Sequence, residues 1–177
     1  RALARRTLDA EAIIGGILLP GSIGEKVAAA YDKHLFHGAT LQELPDAPRF
    51  VINATNVQSG VLWRFSKPYM GDYRVGRIEK PDFPIARAVA ASSAFPPVLS
   101  PLTIELHPAA FKPNSGVDLQ RAPFTSDVVL ADGGVYDNLG LETVWKRYQT
   151  VLVSDAGAKI KPEEEPKQDW PRHAYRV

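Results

Sequence analysis

Asp132 stands where a reactive carboxylate would be useful. It follows the apolar run Val128-Val129-Leu130-Ala131 and precedes Gly133-Gly134. A short β-branched run predicts a buried strand. Ligands of open α/β sheets bind beyond the carboxyl ends of the strands. Two glycines allow a sharp turn and leave space beside the carboxylate for a substrate or a second side chain. Asp132 is therefore a candidate general base. The plainer alternative is an Asp-Gly turn that satisfies its own backbone.

A base needs a group to activate, and the residues offer few. There are no cysteines, which removes thiolate nucleophiles, disulfides and Cys-based zinc sites. A nucleophile elbow reads Gly-x-Ser-x-Gly. Ser22 precedes Gly24 at the right distance, but position 20 is Pro. Ser59, Ser115 and Ser154 do not fit either. Ser92 and Ser93 end an Ala-rich segment, where packing and hydrogen bonding are their expected roles. His34 and His37, three apart, have metal-pair spacing, but no third ligand is indicated. His107 lies beside a proline. His173, in the charged tail, would be the base of a Ser-Asp-His arrangement with Asp132 orienting it. Asp132, Asp137 and Asp155 could hold a cation as a carboxylate cluster; helix capping and turn roles are the alternatives for the last two. Gly15-Gly16 and Gly21 form no phosphate-binding fingerprint.

Composition narrows the class. Apolar residues are 45% and charged residues 23%, ordinary for a globular domain with a substantial core. The charge is +1, with 21 basic against 20 acidic residues, and no basic stripe carries interleaved aromatics. Neither observation supports a nucleic-acid binder. A membrane surface stays open, because apolar insertion needs no net charge. The apolar run Ile13–Leu19 is broken by Gly15-Gly16 and is too short to span a bilayer. The chain opens on Arg1-Ala2-Leu3-Ala4-Arg5-Arg6 and closes in a Pro-rich, charged tail. It reads as residues from a longer protein, cut at both ends.

The elements that would position Asp132 follow from periodicity. Residues 1–12 favour a helix. Ser22 to Glu25 has capping-box spacing, with Val27, Tyr31 and Leu35 on one face behind it and Gly38 as the stop. Thr40-Leu41-Gln42-Glu43 repeats the box. Residues 49–56 and Val61, Trp63 and Phe65 alternate around a Gln58-Ser59-Gly60 turn, predicting a β-hairpin. Residues 67–82 read as an irregular excursion, and Pro84 to Phe95 as a helix ended by Pro96-Pro97. Leu102 to Leu106 predicts a short strand and 107–126 a surface loop. A strand over 128–131, a helix over 139–148 capped by Asn138, and a strand over Thr150–Val153 would form a βαβ unit with a parallel pair.

Three segments together resemble the patatin-like phospholipase family: Phe50-Val51-Ile52-Asn53-Ala54-Thr55-Asn56, Ala91-Ser92-Ser93-Ala94-Phe95-Pro96-Pro97, and Ala131-Asp132-Gly133-Gly134-Val135-Tyr136-Asp137-Asn138. The second is similar to the family's Ala-Ser-x-Ala-x-Pro segment and the third to its Asp-Gly-Gly motif. The resemblance runs from about residue 25 to the end. It implies an α/β fold: part of a three-layer α/β/α domain with a mostly parallel central sheet and a β-hairpin excursion. Residues 1–177 would be the C-terminal part of one hydrolase domain. It further implies a lipid acyl hydrolase of phospholipase A or esterase type, using a Ser-Asp dyad without histidine, with Asp132 as the dyad aspartate. No metal or cofactor is implied. The partners would be a phospholipid or other lipid ester and the periphery of a membrane, with no nucleic acid, in a cytoplasmic or membrane-peripheral location. The family's serine elbow and Gly-rich oxyanion loop lie N-terminal to the matching region, so the chain by itself is expected to hydrolyse little. Trp63, Phe65, Tyr69 and Tyr73 are candidates to line an acyl pocket or contact lipid, or else are core. A non-catalytic lipid-binding or interaction module that keeps the fold is the competing reading.

Overall fold

The computed structural model describes residues 22–96, 99 and 101–155. The expected helix over 1–12, the run Ile13–Leu19 and His173 lie outside them. Helix α1 spans Ser22–Tyr31 and closes in a π-helical turn, Asp32–Phe36, where the His37 N–H donates to the Asp32 carbonyl at 2.7 Å. His37 and Gly38 both take positive φ and end it. The Thr40 capping box forms as its spacing predicts: Thr40 Oγ1 accepts from Gln42 N–H, and Glu43 Oε1 accepts from Thr40 N–H.

The strands are β1 (Ile52–Asn56), β2 (Val61–Phe65), β3 (Tyr69–Asp72), β4 (Gly76–Glu79), β5 (Leu102–Glu105) and β6 (Asp127–Asp132). They form one sheet in the order β4-β3-β2-β1-β6-β5. The predicted β1–β2 hairpin is present, with Ile52 opposite Phe65 and Asn56 opposite Val61. The excursion over 67–82 is a second hairpin, β3–β4, which turns through residues 73–75.

The expectation of a mostly parallel sheet is wrong. Every pairing is antiparallel, and the sheet curls into a half-barrel. β6 is interior, with one edge on β1 and the other on β5, so no ladder position beside it remains for a parallel strand. Thr150–Val153 accordingly forms no strand, and Leu152 is 96% exposed. The helix expected over 139–148 is absent too. A short α3, Gly134–Asp137, gives way at Gly140, whose φ of 65° breaks the helical path. A 3₁₀ turn at Leu141–Thr143 and irregular turns follow. Among the described residues there is no βαβ unit.

Sheet alternation sorts the side chains. Ile52, Ala54, Trp63, Phe65, Val128 and Leu130 face the main core with Leu102 and Ile104. Trp63 and Phe65 are fully buried, and Phe65 stacks on Phe83 at 5.3 Å between centroids. Burial of each contributes about 1.5–3 kcal/mol. Helix α2, Ile85–Ser92, covers this face. Its buried Ala86, Ala88, Ala90 and Ala91 let it lie close to β1 and β6. Helix α1 packs on α2 through Ile23, Val27 and Ala28. Helix α3 contacts β1 and β2.

Candidate active site

Asp132 ends β6 opposite Ala54, in the row of residues that faces α2. Its backbone is tied on both sides. Thr55 Oγ1 donates to the Asp132 carbonyl at 2.7 Å, and Asp132 N–H donates to the Ala94 carbonyl at 3.0 Å. Gly133 N–H donates to the Ser92 carbonyl at 3.3 Å. The Ala-Ser-Ser-Ala segment is thereby bonded directly to the Asp-Gly-Gly turn, and β1 holds the same turn from its other side. Residues 38 and 77 positions earlier in the chain meet at the Asp132 backbone.

Gly133 is required by close approach. A Cβ on Gly133 would sit 2.7 Å from the Asn53 carbonyl oxygen, which is backbone and cannot step aside. Gly133→Ala is expected to push the end of β6 off β1 and to cost about 1–3 kcal/mol, read as a lower denaturant midpoint. An unchanged midpoint would contradict this packing. A Cβ on Gly134 would meet only side-chain ends, Asn138 Oδ1 at 2.8 Å and Asp132 Oδ1 at 3.0 Å.

The Asp132 side chain is half-buried. Oδ1 accepts from Gly134 N–H at 2.7 Å, which fixes the plane of the carboxylate. Oδ2 accepts no hydrogen bond, and no ion pair engages the group, among the described residues. One oxygen is thus held by the fold and the other is open to a proton donor.

A second polar cluster braces the turn from the opposite sheet face. Arg64 Nε donates to Thr143 Oγ1 at 3.5 Å, and Thr143 Oγ1 donates to Asn53 Oδ1 at 3.0 Å. Arg64 also pairs with Glu142 at 2.9 Å. Asp137 Oδ2 accepts from Glu142 N–H at 2.7 Å. The Tyr136 phenol titrates above its ordinary value, chiefly because its proton is hydrogen-bonded to the Glu142 carboxylate and secondarily because of burial. Asn53 belongs to a segment singled out above, but nothing in its spacing announced this bracing role.

The other candidates separate from the site. Among the described residues no three His, Cys, Asp or Glu side chains are placed to hold a metal ion, so neither the His34–His37 pair nor Asp132 with Asp137 and Asp155 forms such a centre. His107 Nδ1 accepts from Ala109 N–H and caps a 3₁₀ turn. Ser93 Oγ donates back to the Val89 carbonyl at 2.9 Å, as helix-terminal serines do. Trp63 and Phe65 are fully buried core residues. Tyr69 is half-buried and Tyr73 exposed.

The model of the patatin-like phospholipase family matches residues 5–145. That span is most of the chain and holds all three segments that meet at Asp132. The chain belongs to the patatin-like phospholipase family, and its fold is of a hydrolytic type. Comparison with curated proteins and with solved structures found no match.

Proposed function

We propose that Asp132 is the base of a Ser-Asp dyad in a lipid acyl hydrolase. The observation that supports it is the carboxylate itself: Oδ1 is held by Gly134 N–H while Oδ2 is left open, at the point where the three family segments converge. In this reading residues 1–177 are the C-terminal part of the domain, and the serine and its oxyanion donors come from chain outside them. The substrate is a phospholipid or related lipid ester.

The chemistry needs no histidine and no cofactor. The serine oxygen attacks the ester carbonyl as its proton passes to Asp132 Oδ2. Proton transfer of this kind is worth about 10²–10⁴ in rate. The tetrahedral adduct collapses, and Asp132 returns the proton to the departing alcohol oxygen. Water then attacks the acyl-enzyme, with Asp132 accepting its proton and passing it back to the serine. The bond from Gly134 N–H keeps Oδ2 aimed at the same place through both half-reactions.

The direct test is Asp132→Asn in the intact protein. Ester hydrolysis and labelling by a serine-reactive fluorophosphonate should both be lost, and retained turnover would overturn the assignment. Ser93→Ala should leave hydrolysis within about threefold, since its hydroxyl is committed to helix carbonyls. A larger loss would place Ser93 in the chemistry instead. The second reading is a lipid-binding module that keeps the fold without the dyad. Absence of fluorophosphonate labelling in the unmodified intact protein would select it.

A further inference from the structure

Two clefts of about 300 Å³ each lie side by side and share Arg49 and Phe50. One continues over Val144, Arg147 and Tyr148. The other continues over Leu44, Pro45, Lys67, Pro68 and Lys80. Their charge is one-sided. Four cations line them, against a single carboxylate, Asp46, which is already paired with Lys67 at 2.9 Å. Arg49, Lys80 and Arg147 make no close ion pair among the described residues, and Lys80 acts on the neighbouring Glu79 carboxylate only at longer range. The chain as a whole carries only +1, so this face concentrates charge that the rest of the molecule balances.

The same face exposes apolar surface. Phe50, on the ridge between the clefts, is 48% exposed, and Tyr148 at the far rim 58%. Two of the cations have an anchored position. Arg49 lies over the Tyr69 ring at 5.6 Å. Lys80 is fixed at a φ of 45°, with its N–H donating to the Pro68 carbonyl at 2.9 Å.

We propose that this face, Arg49, Phe50, Lys67, Lys80, Arg147 and Tyr148, docks on an anionic lipid bilayer. Exposed aromatics flanked by unpaired cations are what an anionic interface attracts: the rings enter the boundary and the cations meet phosphates. The charge complementarity commits the site to a bilayer surface rather than to a neutral apolar partner. Among the described residues no helix is long and apolar enough to cross a membrane, so the contact is peripheral. The choice of a lipid surface rests on the lipid-ester reading above. The readout of the proposal is binding, so either can fail without the other.

The experiment is co-sedimentation of the intact protein with vesicles of phosphatidylcholine containing a quarter phosphatidylglycerol, and with phosphatidylcholine alone. Each surface cation contributes about 1 kcal/mol, so Arg49→Gln with Lys80→Gln should weaken binding to the anionic vesicles about 30-fold. Lys26→Gln with Lys33→Gln removes the same charge from exposed positions elsewhere and should change binding by less than about twofold. Phe50→Ser should weaken binding further at high salt, where the cations are screened. Thermal melts of all variants confirm the fold. Equal losses in the two double variants, equal binding to neutral and anionic vesicles, or no binding at all would each overturn the proposal.

Discussion

Asp132→Asn will lower ester hydrolysis about 10²–10⁴-fold while leaving the fold intact. In the proposed dyad the two effects separate because the carboxylate has two jobs carried by different atoms. The asparagine oxygen still accepts from Gly134 N–H, as Oδ1 does at 2.7 Å. The bonds that tie the turn to Ala94, Ser92 and Thr55 are made by backbone atoms at position 132–133 and by the Thr55 hydroxyl, so they survive. What is lost is the ability of the second oxygen to take a proton. Stability should therefore stay within about 0.5 kcal/mol. Asp132→Ala should lose the same rate and also strand the Gly134 N–H. The informative comparison is a melt and a turnover assay on both variants: a rate loss in Asp132→Asn that merely tracked a loss of folded protein would speak against proton transfer.

Asp72→Ala will destabilise the fold by about 4 kcal/mol, near the upper end for a single substitution. Asp72 is 5% exposed and belongs to neither the site nor the docking face. Its Oδ2 accepts from Asn56 Nδ2 at 2.9 Å and Ser59 Oγ at 2.8 Å. Its Oδ1 accepts from Arg74 N–H at 2.8 Å and Val75 N–H at 2.7 Å. One carboxylate thus joins the β1–β2 turn to the β3–β4 turn. Truncation leaves four donors without an acceptor, each costing roughly 1–3 kcal/mol less whatever water recovers. A drop of 4 kcal/mol in a domain of this size lowers the melting temperature by about 8–16 °C. Asp72→Asn should lose less, since one oxygen remains. A fall below about 1 kcal/mol for Asp72→Ala would show that the two turns hold without it.

The comparison of the two aspartates shows what kind of information local sequence carries. Asp132 was legible because its context is local: a strand pattern before it and two glycines after it. Asp72 was not, because it sits in a stretch of aromatics, glycine and proline with no clear period, and all its partners but two lie across the sheet. The same division runs through the elements. The β1–β2 hairpin, helix α2, the Thr40 capping box and the end of β6 depend on alternation, small side chains and capping chemistry within a few residues. They formed as their patterns predict.

The strand expected at Thr150–Val153 failed for a non-local reason. A run of β-branched residues states a preference for extended backbone, but a strand exists only if a neighbour has an unpaired edge. Both edges of β6 are filled, by β1 and β5. Outside tight hairpins, where the turn forces antiparallel pairing, the direction of pairing is likewise a property of the sheet. Sequence by itself therefore determined which residues were hairpin, Ala-rich helix and strand-end carboxylate, and which family they resemble. Tertiary structure alone decided the antiparallel order. It alone brought residues 52–56, 92–94 and 131–134 together around Asp132, and gathered Arg49, Lys80 and Arg147 on one face. Local preferences act over a few bonds, whereas these arrangements depend on which edges and surfaces remain once distant segments have packed.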